Sequence, residues 1–188
     1  DPNRKLSTRP QMERDEWQKF CEKISELGKY LEDEGMPLAY HHHMGTVIET
    51  QKDTERLIEN THESVKLTLD TGHMLFAKGD SKYILQNYHE RILHVHCKDI
   101  RKQVLEKSLK EDLSFRGAFL EGAFTVPGDG CIDYQPLFNV LKNNNYSGWL
   151  VVEAEQDPAK ANPLEYAKIG YNYLTDTLKK SEIEIYKN

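Results

Sequence analysis

Two periods alternate along the chain. From Pro10 to Glu34, Trp17, Phe20, Cys21, Ile24, Leu27 and Leu31 recur at helical spacing, and Gly35 closes the segment, which predicts a helix there. Four short apolar runs follow, MPLAYHHH, SVKLTLD, RILHVHC and GWLVVE. They predict strands over Pro37–His43, Val65–Leu69, Arg91–Cys97 and Trp149–Glu153. Helical segments separate them. Thr50 is placed to cap a helix over Gln51–Thr61, and Ser81–His89 and Val104–Leu113 read as two more. Asp133 is placed to cap a helix running to about Leu141. Pro163–Lys179 reads as the last helix, with Leu164, Ala167, Tyr171 and Leu174 on one face. Gly117–Gly130, which contains TVPGDG, reads as a glycine-rich loop, and the polar tail after Ser181 is assigned to no element.

Strands alternating with helices imply a parallel sheet with right-handed crossovers. Crossovers that always advance in one direction put every helix on the same face. Four such strands leave the other face bare and both edges open. That is half of a (β/α)8 barrel, which takes roughly 250 residues. The expected fold is therefore α/β, a TIM barrel, with residues 1–188 forming the C-terminal half of one barrel domain. About four preceding strands are expected to be missing. Asp1-Pro2-Asn3-Arg4-Lys5 reads as the middle of a polar loop, in keeping with that view. The N-terminal half-barrel is thus the first partner the sequence calls for.

Composition removes several functional classes. Thirty-one acidic against 25 basic residues give a net charge of −6, and no basic patch for nucleic acid is visible. The apolar runs are too short to span a bilayer, and no N-terminal signal pattern is present. Three widely spaced cysteines, Cys21, Cys97 and Cys131, fit a reducing cytosol and not a disulfide framework, so a cytoplasmic location is expected. No GxGxxG, P-loop or Ser-His-Asp pattern occurs.

The chemistry gathers at the strand ends. LTLDTGH closes on Asp70 and His73, HVHCKD carries His94, His96 and Lys98, WLVVEAEQD carries Glu153 and Glu155, and the first strand ends in His41, His42 and His43. Side chains alternate across a strand, so His41 shares a face with His43, His94 with His96 and Lys98, and Glu153 with Glu155. Charged groups there are costly unless they line a polar site. Imidazoles and carboxylates at the C-terminal ends of parallel strands suit a metal site. Each group also has a bland reading. Asp70 fits a helix N-cap, His96 a satisfied core histidine, Glu153 the partner of a lysine, Lys98 and Asp99 a strand-end ion pair, and TVPGDG a plain turn. Their recurrence at matching positions favours the metal site. His42 faces the other way and reads as a surface residue.

DTGH, HVHCKD, FTVPGDG and VVEAEQDPAKANPLEYA together resemble the xylose-isomerase-like sugar isomerase/epimerase superfamily, from about Arg9 to Tyr173. The blocks Phe124–Asp133 and Gly148–Tyr166 are the most specific and resemble its dehydratases of bacterial inositol catabolism. The resemblance implies a barrel enzyme with one divalent metal at its C-terminal mouth, Mn²⁺ or Co²⁺ being usual and Zn²⁺ also suited to such ligands. Glutathione is associated with the activity, although no residue predicts its site. The superfamily's metal set is two Glu, one Asp and one His. Asp70, His96 and Glu153 match three of these; aligning on Gly45 places His41 where the fourth, a Glu, is expected, with His43 as the alternative. In the epimerases that Glu is one of two acid/base groups, so its replacement suits a one-sided elimination. The absence of a DxH string after HVHCKD argues against the related apurinic endonucleases.

The expected activity is that of a metal-dependent hydro-lyase converting 2-keto-myo-inositol, a cyclic polyol ketone, to a diketone. Glu153, Glu155, His73 and Lys98 are the candidate catalytic groups, and His43, His73, Lys98 and Arg101 the candidate substrate contacts. A ketose epimerase or sugar isomerase on the same scaffold is the alternative. An inactive half-barrel serving as a sugar-binding or interaction module is another, and a homo-oligomer is compatible with each.

Overall fold

In the computed structural model, residues 3–186 are described; Asp1, Pro2, Lys187 and Asn188 lie outside it, and with them part of the N-terminal loop expected above. The first amphipathic segment forms α1, Arg14–Asp33, which starts later than predicted because a capping box between Glu13 and Glu16 fixes its first turn. Trp17 and Cys21 bury its inward face. The alternation then runs as expected. β1 is Leu38–His41, α2 Gln51–Asn60 and β2 Val65–Asp70. α3, Thr71–Phe76, follows β2 without a break, and α4 is Ser81–Tyr88. β3 is Ile92–Cys97, β4 Asp99–Ile100 and α5 Lys102–Lys110. α6 is Phe115–Leu120, β5 Phe124–Thr125 and α7 Gln135–Asn143. β6, Trp149–Val152, and α8, Pro163–Lys180, complete the chain. Thr50 does cap α2, in a box with Asp53.

β1, β2, β3 and β6 form a four-stranded sheet in that order, and every pairing is parallel. Asp70 lies opposite His96, and His96 opposite Val151, so the strands end together at one rim. One face carries Tyr40, Leu67, Leu69, Val95, Cys97, Leu150 and Val152 into a single core. That core includes Leu57 and Ile58 of α2, Ile84 and Leu85 of α4, Phe138 and Leu141 of α7, and Leu174 and Leu178 of α8. A smaller core of Met44, Phe76, Ile100, Leu105, Ala118, Ala123 and Phe124 sits at the rim. Among the described residues no helix is long and apolar enough to cross a membrane.

Three expectations change. The segment read as a glycine-rich loop contains α6 and β5, and β5 pairs antiparallel with β4. A pair of two-residue strands is too short to leave an alternation pattern. Asp133 does not cap α7; Tyr134 is the N-cap, and Asp133 Oδ1 accepts the Gln135 N–H at 3.0 Å instead. The apolar stripe predicted for α8 is not its packed face. Leu164 and Tyr171 are 64% and 53% exposed, while Gly170, Leu174, Thr177 and Leu178 are buried. Gly170 explains the choice, because a Cβ there would stand 2.6 Å from Val152 Cγ1. The helix approaches β6 most closely at its bare backbone, and that contact fixes its rotation.

Candidate metal centre

Asp70 ends β2 and begins α3, and its two oxygens do different work. Oδ1 accepts the His73 N–H at 2.8 Å, the N-cap bond that starts the helix. Oδ2 turns to the sheet face opposite the core, buried and without a hydrogen-bond partner. The Asp70 N–H is held from below by His42 Nε2 at 3.2 Å. His42 does face away from His41 and His43, but it is fully buried under the sheet, not on the surface. Its environment is apolar enough that desolvation lowers its pKa to about 3, leaving a neutral imidazole able to accept.

Around Oδ2 stand His41 Nε2 at 3.4 Å, His96 Nδ1 at 3.6 Å and Lys98 Nζ at 3.2 Å. Glu153 continues β6, its N–H bonded to Cys97 O at 3.3 Å, which brings Oε2 to 2.5 Å from His96 Nδ1. His41 and His96 thus flank Asp70 Oδ2 from the neighbouring strands, and Glu153 adjoins His96 from the fourth strand of the sheet. His41 Nε2, Asp70 Oδ2, His96 Nδ1 and Glu153 Oε2 are all buried atoms that satisfy no hydrogen bond. Orphaned buried acceptors are costly, and several aimed at each other fit a cation between them. Asp70, His96 and Glu153 offer ligand atoms within 4.8 Å of one another, as do His41, Asp70 and His73. The electrostatics agree. Burial pushes the Asp70 carboxyl up, but the imidazoles of His41 and His96 and the charges of His73 and Lys98 overcome this and hold it well below the usual range. Burial likewise raises Glu153, while His96 and Lys98 bring it below normal. Asp70 and Glu153 in turn lift His96 to about 9.

A second group adjoins the first. Lys98, fully buried, places Nζ 2.8 Å from Glu155 Oε2, 2.9 Å from His73 Nε2 and 3.3 Å from Glu153 Oε1. The ion pair read between Lys98 and Asp99 does not form. Lys98 points into the site, and Asp99 Oδ1 accepts the N–H groups of Ile100 and Ile132 at 2.7 and 2.9 Å. The bond from Ile132 ties the residues just after TVPGDG to β4. Glu155 also lies 3.1 Å from His73 Nε2 and 3.6 Å from His43 Nε2. His43 Nδ1–H donates to Met44 O at 2.8 Å, which turns Nε2 toward Glu155. Burial raises Glu155, but His43, His73 and Lys98 drive its pKa far below the ordinary value. Burial lowers Lys98, yet Asp70 and Glu155 raise it further, so it stays an ammonium. Burial lowers His73, and in His43 the same effect is outweighed by Glu155 and the Met44 carbonyl, which raise it.

Arg101 is not part of either group. Its guanidinium bonds Gly122 O at 2.8 Å, Thr125 Oγ1 at 3.0 Å and Asp129 Oδ2 at 2.6 Å, stitching β5 to the loop that follows. Two neighbours escaped the sequence reading. Phe115 and Phe124 lie tilted against His43 and His73, with ring centroids 5.1 Å apart in the His43–Phe115 and His73–Phe124 pairs. Only the placement of Phe124 within FTVPGDG hinted at this; Phe115 left no signal.

A sequence profile described as xylose isomerase-like TIM barrel matches residues 2–177. The chain is 50% identical over 163 residues to an inosose dehydratase of Clostridium beijerinckii, covering 86% of this chain and 55% of that one. It is 46% identical over 169 residues to the rhizopine catabolism protein MocC of Rhizobium meliloti, covering 90% of this chain and 52% of that protein. The chain therefore spans about half the length of the curated relatives it matches. Among solved structures, the IolI protein with a bound zinc atom superposes with a TM-score of 0.58 at 22% identity, over 91% of this chain and 56% of that one. The profile, the parallel sheet and the rim of ligand-bearing strand ends agree, and the chain belongs to the xylose isomerase-like TIM barrel family.

Proposed function

We propose that this chain carries the metal-binding half of a dehydratase that removes water from 2-keto-myo-inositol. One observation carries the reading: Asp70, His96 and Glu153 bring buried, unpartnered ligand atoms within 4.8 Å of one another, with His41 Nε2 3.4 Å from Asp70 Oδ2, in a chain 50% identical over 163 residues to an inosose dehydratase. His41, Asp70, His96 and Glu153 would hold a single divalent ion, Mn²⁺ or Co²⁺ by the chemistry of a mixed imidazole and carboxylate set, with Zn²⁺ also accommodated. The zinc of the IolI structure supports a divalent ion in this scaffold. Such an ion supplies Lewis acidity toward the ketone oxygen and the neighbouring hydroxyl. Asp70, Glu153 and Glu155 bring three negative charges, and Lys98 returns one, so one divalent ion leaves these groups neutral overall.

The remaining chemistry falls to side chains. Glu153 Oε1, 3.3 Å from Lys98 Nζ, is the oxygen that takes the carbon-bound proton beside the ketone. Lys98 Nζ, held among three carboxylates, hydrogen-bonds the developing enolate oxygen. His43, whose protonated form Glu155 favours, hands a proton to the departing hydroxide, which leaves as water. His73 fixes Glu155 from the buried side. The enol so formed becomes the diketone.

We further infer that the chain is the C-terminal half of one barrel and that the N-terminal half closes the sheet. The open edges support this. Leu27, Tyr30 and Met36 stand exposed beside β1, and Trp149 is 65% exposed on β6. The test is to incubate the intact protein with Mn²⁺ and 2-keto-myo-inositol in deuterium oxide. A diketone lacking one water is expected. Deuterium entering recovered substrate with no diketone would overturn dehydration in favour of epimerisation.

A further inference from the structure

A ring of buried hydroxyls lies directly behind the metal centre. Thr71 Oγ1 accepts the Lys98 N–H at 3.1 Å and lies 2.7 Å from Lys98 O. The Tyr134 hydroxyl is 2.8 Å from Thr71 Oγ1 and 3.0 Å from Lys98 O. Thr71 is 1% exposed, and Tyr134 and Lys98 are fully buried. Thr71 also reaches His96 O at 3.2 Å. Both polar groups of the Lys98 peptide are therefore bound by side chains from elsewhere in the fold, one at the start of α3 and one at the N-cap of α7. A second observation concerns the same contact. A Cβ on Gly72 would stand 2.7 Å from Lys98 Cγ and 3.0 Å from its Cβ and Cδ. The first turn of α3 rests on the lysine stem with no room for a methyl group.

We propose that Thr71, Gly72 and Tyr134 form a positioning element that sets how far the Asp70 carboxylate stands from His96 and Lys98, and so sets metal affinity. The geometry makes the coupling direct. Asp70 is covalently next to Thr71, and Lys98 lies two residues beyond His96, so the ring joins the two ligand-bearing turns through their backbones. The β2–β3 ladder pairs Asp70 with His96, and the ring carries that register past the strand ends to Lys98 and the first turn of α3. Supporting groups behind metal ligands change affinity by roughly 10–100-fold when removed. The proposal rests on the metal-centre reading above.

The test uses the intact protein carrying Thr71→Val, Thr71→Ser, Tyr134→Phe or Gly72→Ala. Mn²⁺ affinity is read from the resonance of the free ion, Co²⁺ geometry from its visible absorption, and metal-free Tm separately. Thr71→Val and Tyr134→Phe should each weaken Mn²⁺ by about 10–100-fold and alter the Co²⁺ spectrum. Thr71→Ser, which keeps the hydroxyl, should hold the parent affinity, and Gly72→Ala should weaken binding by pushing on the lysine stem. A purely structural role predicts a lower Tm with unchanged affinity and spectrum well below that Tm, and this result overturns the proposal. If Thr71→Val does not fold, Tyr134→Phe decides by the same criteria, since it removes one oxygen within an unchanged ring. A parent protein that binds neither Mn²⁺, Co²⁺ nor Zn²⁺ defeats the metal centre itself. Binding by the parent with unaffected variants defeats only the positioning element.

Discussion

Metal affinity should climb steeply with pH, and the slope can be worked from His96. In the metal-free protein, Asp70 and Glu153 lift its imidazole to about 9. An ion at the centre needs the Nδ1 lone pair, so the proton must leave first. At pH 7, about two units lower, roughly one molecule in 100 presents that lone pair. Apparent affinity should therefore sit about 100-fold under its alkaline plateau at pH 7 and rise about tenfold per unit toward pH 9. Asp70 and Glu153 add no slope here, because both are held below their ordinary values and are already ionised. The sign for the fold is opposite. A pKa raised above that of the unfolded chain stabilises the metal-free protein fully below about pH 6.5, and this contribution fades as pH rises through about 9. The metal-free protein should thus soften in the range where it binds metal best. Titration calorimetry of Mn²⁺ in two buffers of different ionisation enthalpy counts the released proton, expected to be close to one per ion at neutral pH. Affinity that is flat over this range, with heat independent of buffer, would refute the assignment of His96 as a ligand that must deprotonate.

Three further outcomes are expected. His42→Leu strips the Asp70 N–H of its acceptor in a dry interior and should cost about 1–3 kcal/mol, read as a lower urea midpoint; an unchanged midpoint would show that the contact carries no weight. Gly130→Ala places a Cβ 2.1 Å from Asp99 Oδ1 and should destabilise by about 1–3 kcal/mol, again by urea, with full stability showing that the loop gives way freely. Glu155→Gln removes the charge facing Lys98, His73 and His43 without touching the four ligands, so turnover should collapse while Mn²⁺ affinity changes by less than about tenfold; a parallel loss of both would merge the two clusters into one.

What the sequence disclosed divides along physical lines. The strands around Asp70, His96 and Glu153 were readable because a buried parallel strand is a short apolar run, and a polar residue at its end stands out against it. Parity alone separated His41 from His42. It did not reveal that His42 is buried, because a buried imidazole and a surface one look alike until the acceptor it supplies to Asp70 is seen. The cap reading of Asp70 and the ligand reading were posed as rivals, yet they concern different oxygens of one carboxylate. Arg101 was read as a candidate substrate contact; its bonds to nearby carbonyls and Asp129 left no mark in the sequence, because a long side chain reaches several ways. The β4–β5 pair and α6 were hidden because two-residue strands and a six-residue helix are too short to show a period.

The double use of Asp70 also constrains how this protein can change over evolutionary time. An aspartate is just long enough to hold the His73 amide with one oxygen and face the opposite sheet surface with the other. Glutamate at this position would swing past one of the two, so a swap of ligand chemistry there also unravels the first turn of a helix. Glu153 starts no helix: its second oxygen faces Lys98 Nζ at 3.3 Å, and its backbone is anchored by the bond to Cys97. On the proposed metal reading, Asp70 is therefore the ligand tied to a helix start, and Glu153 the one that leaves every helix start untouched. New metal preferences or reactions on this scaffold are most accessible at the β6 end of the site, where a substitution alters the chemistry and leaves the architecture standing.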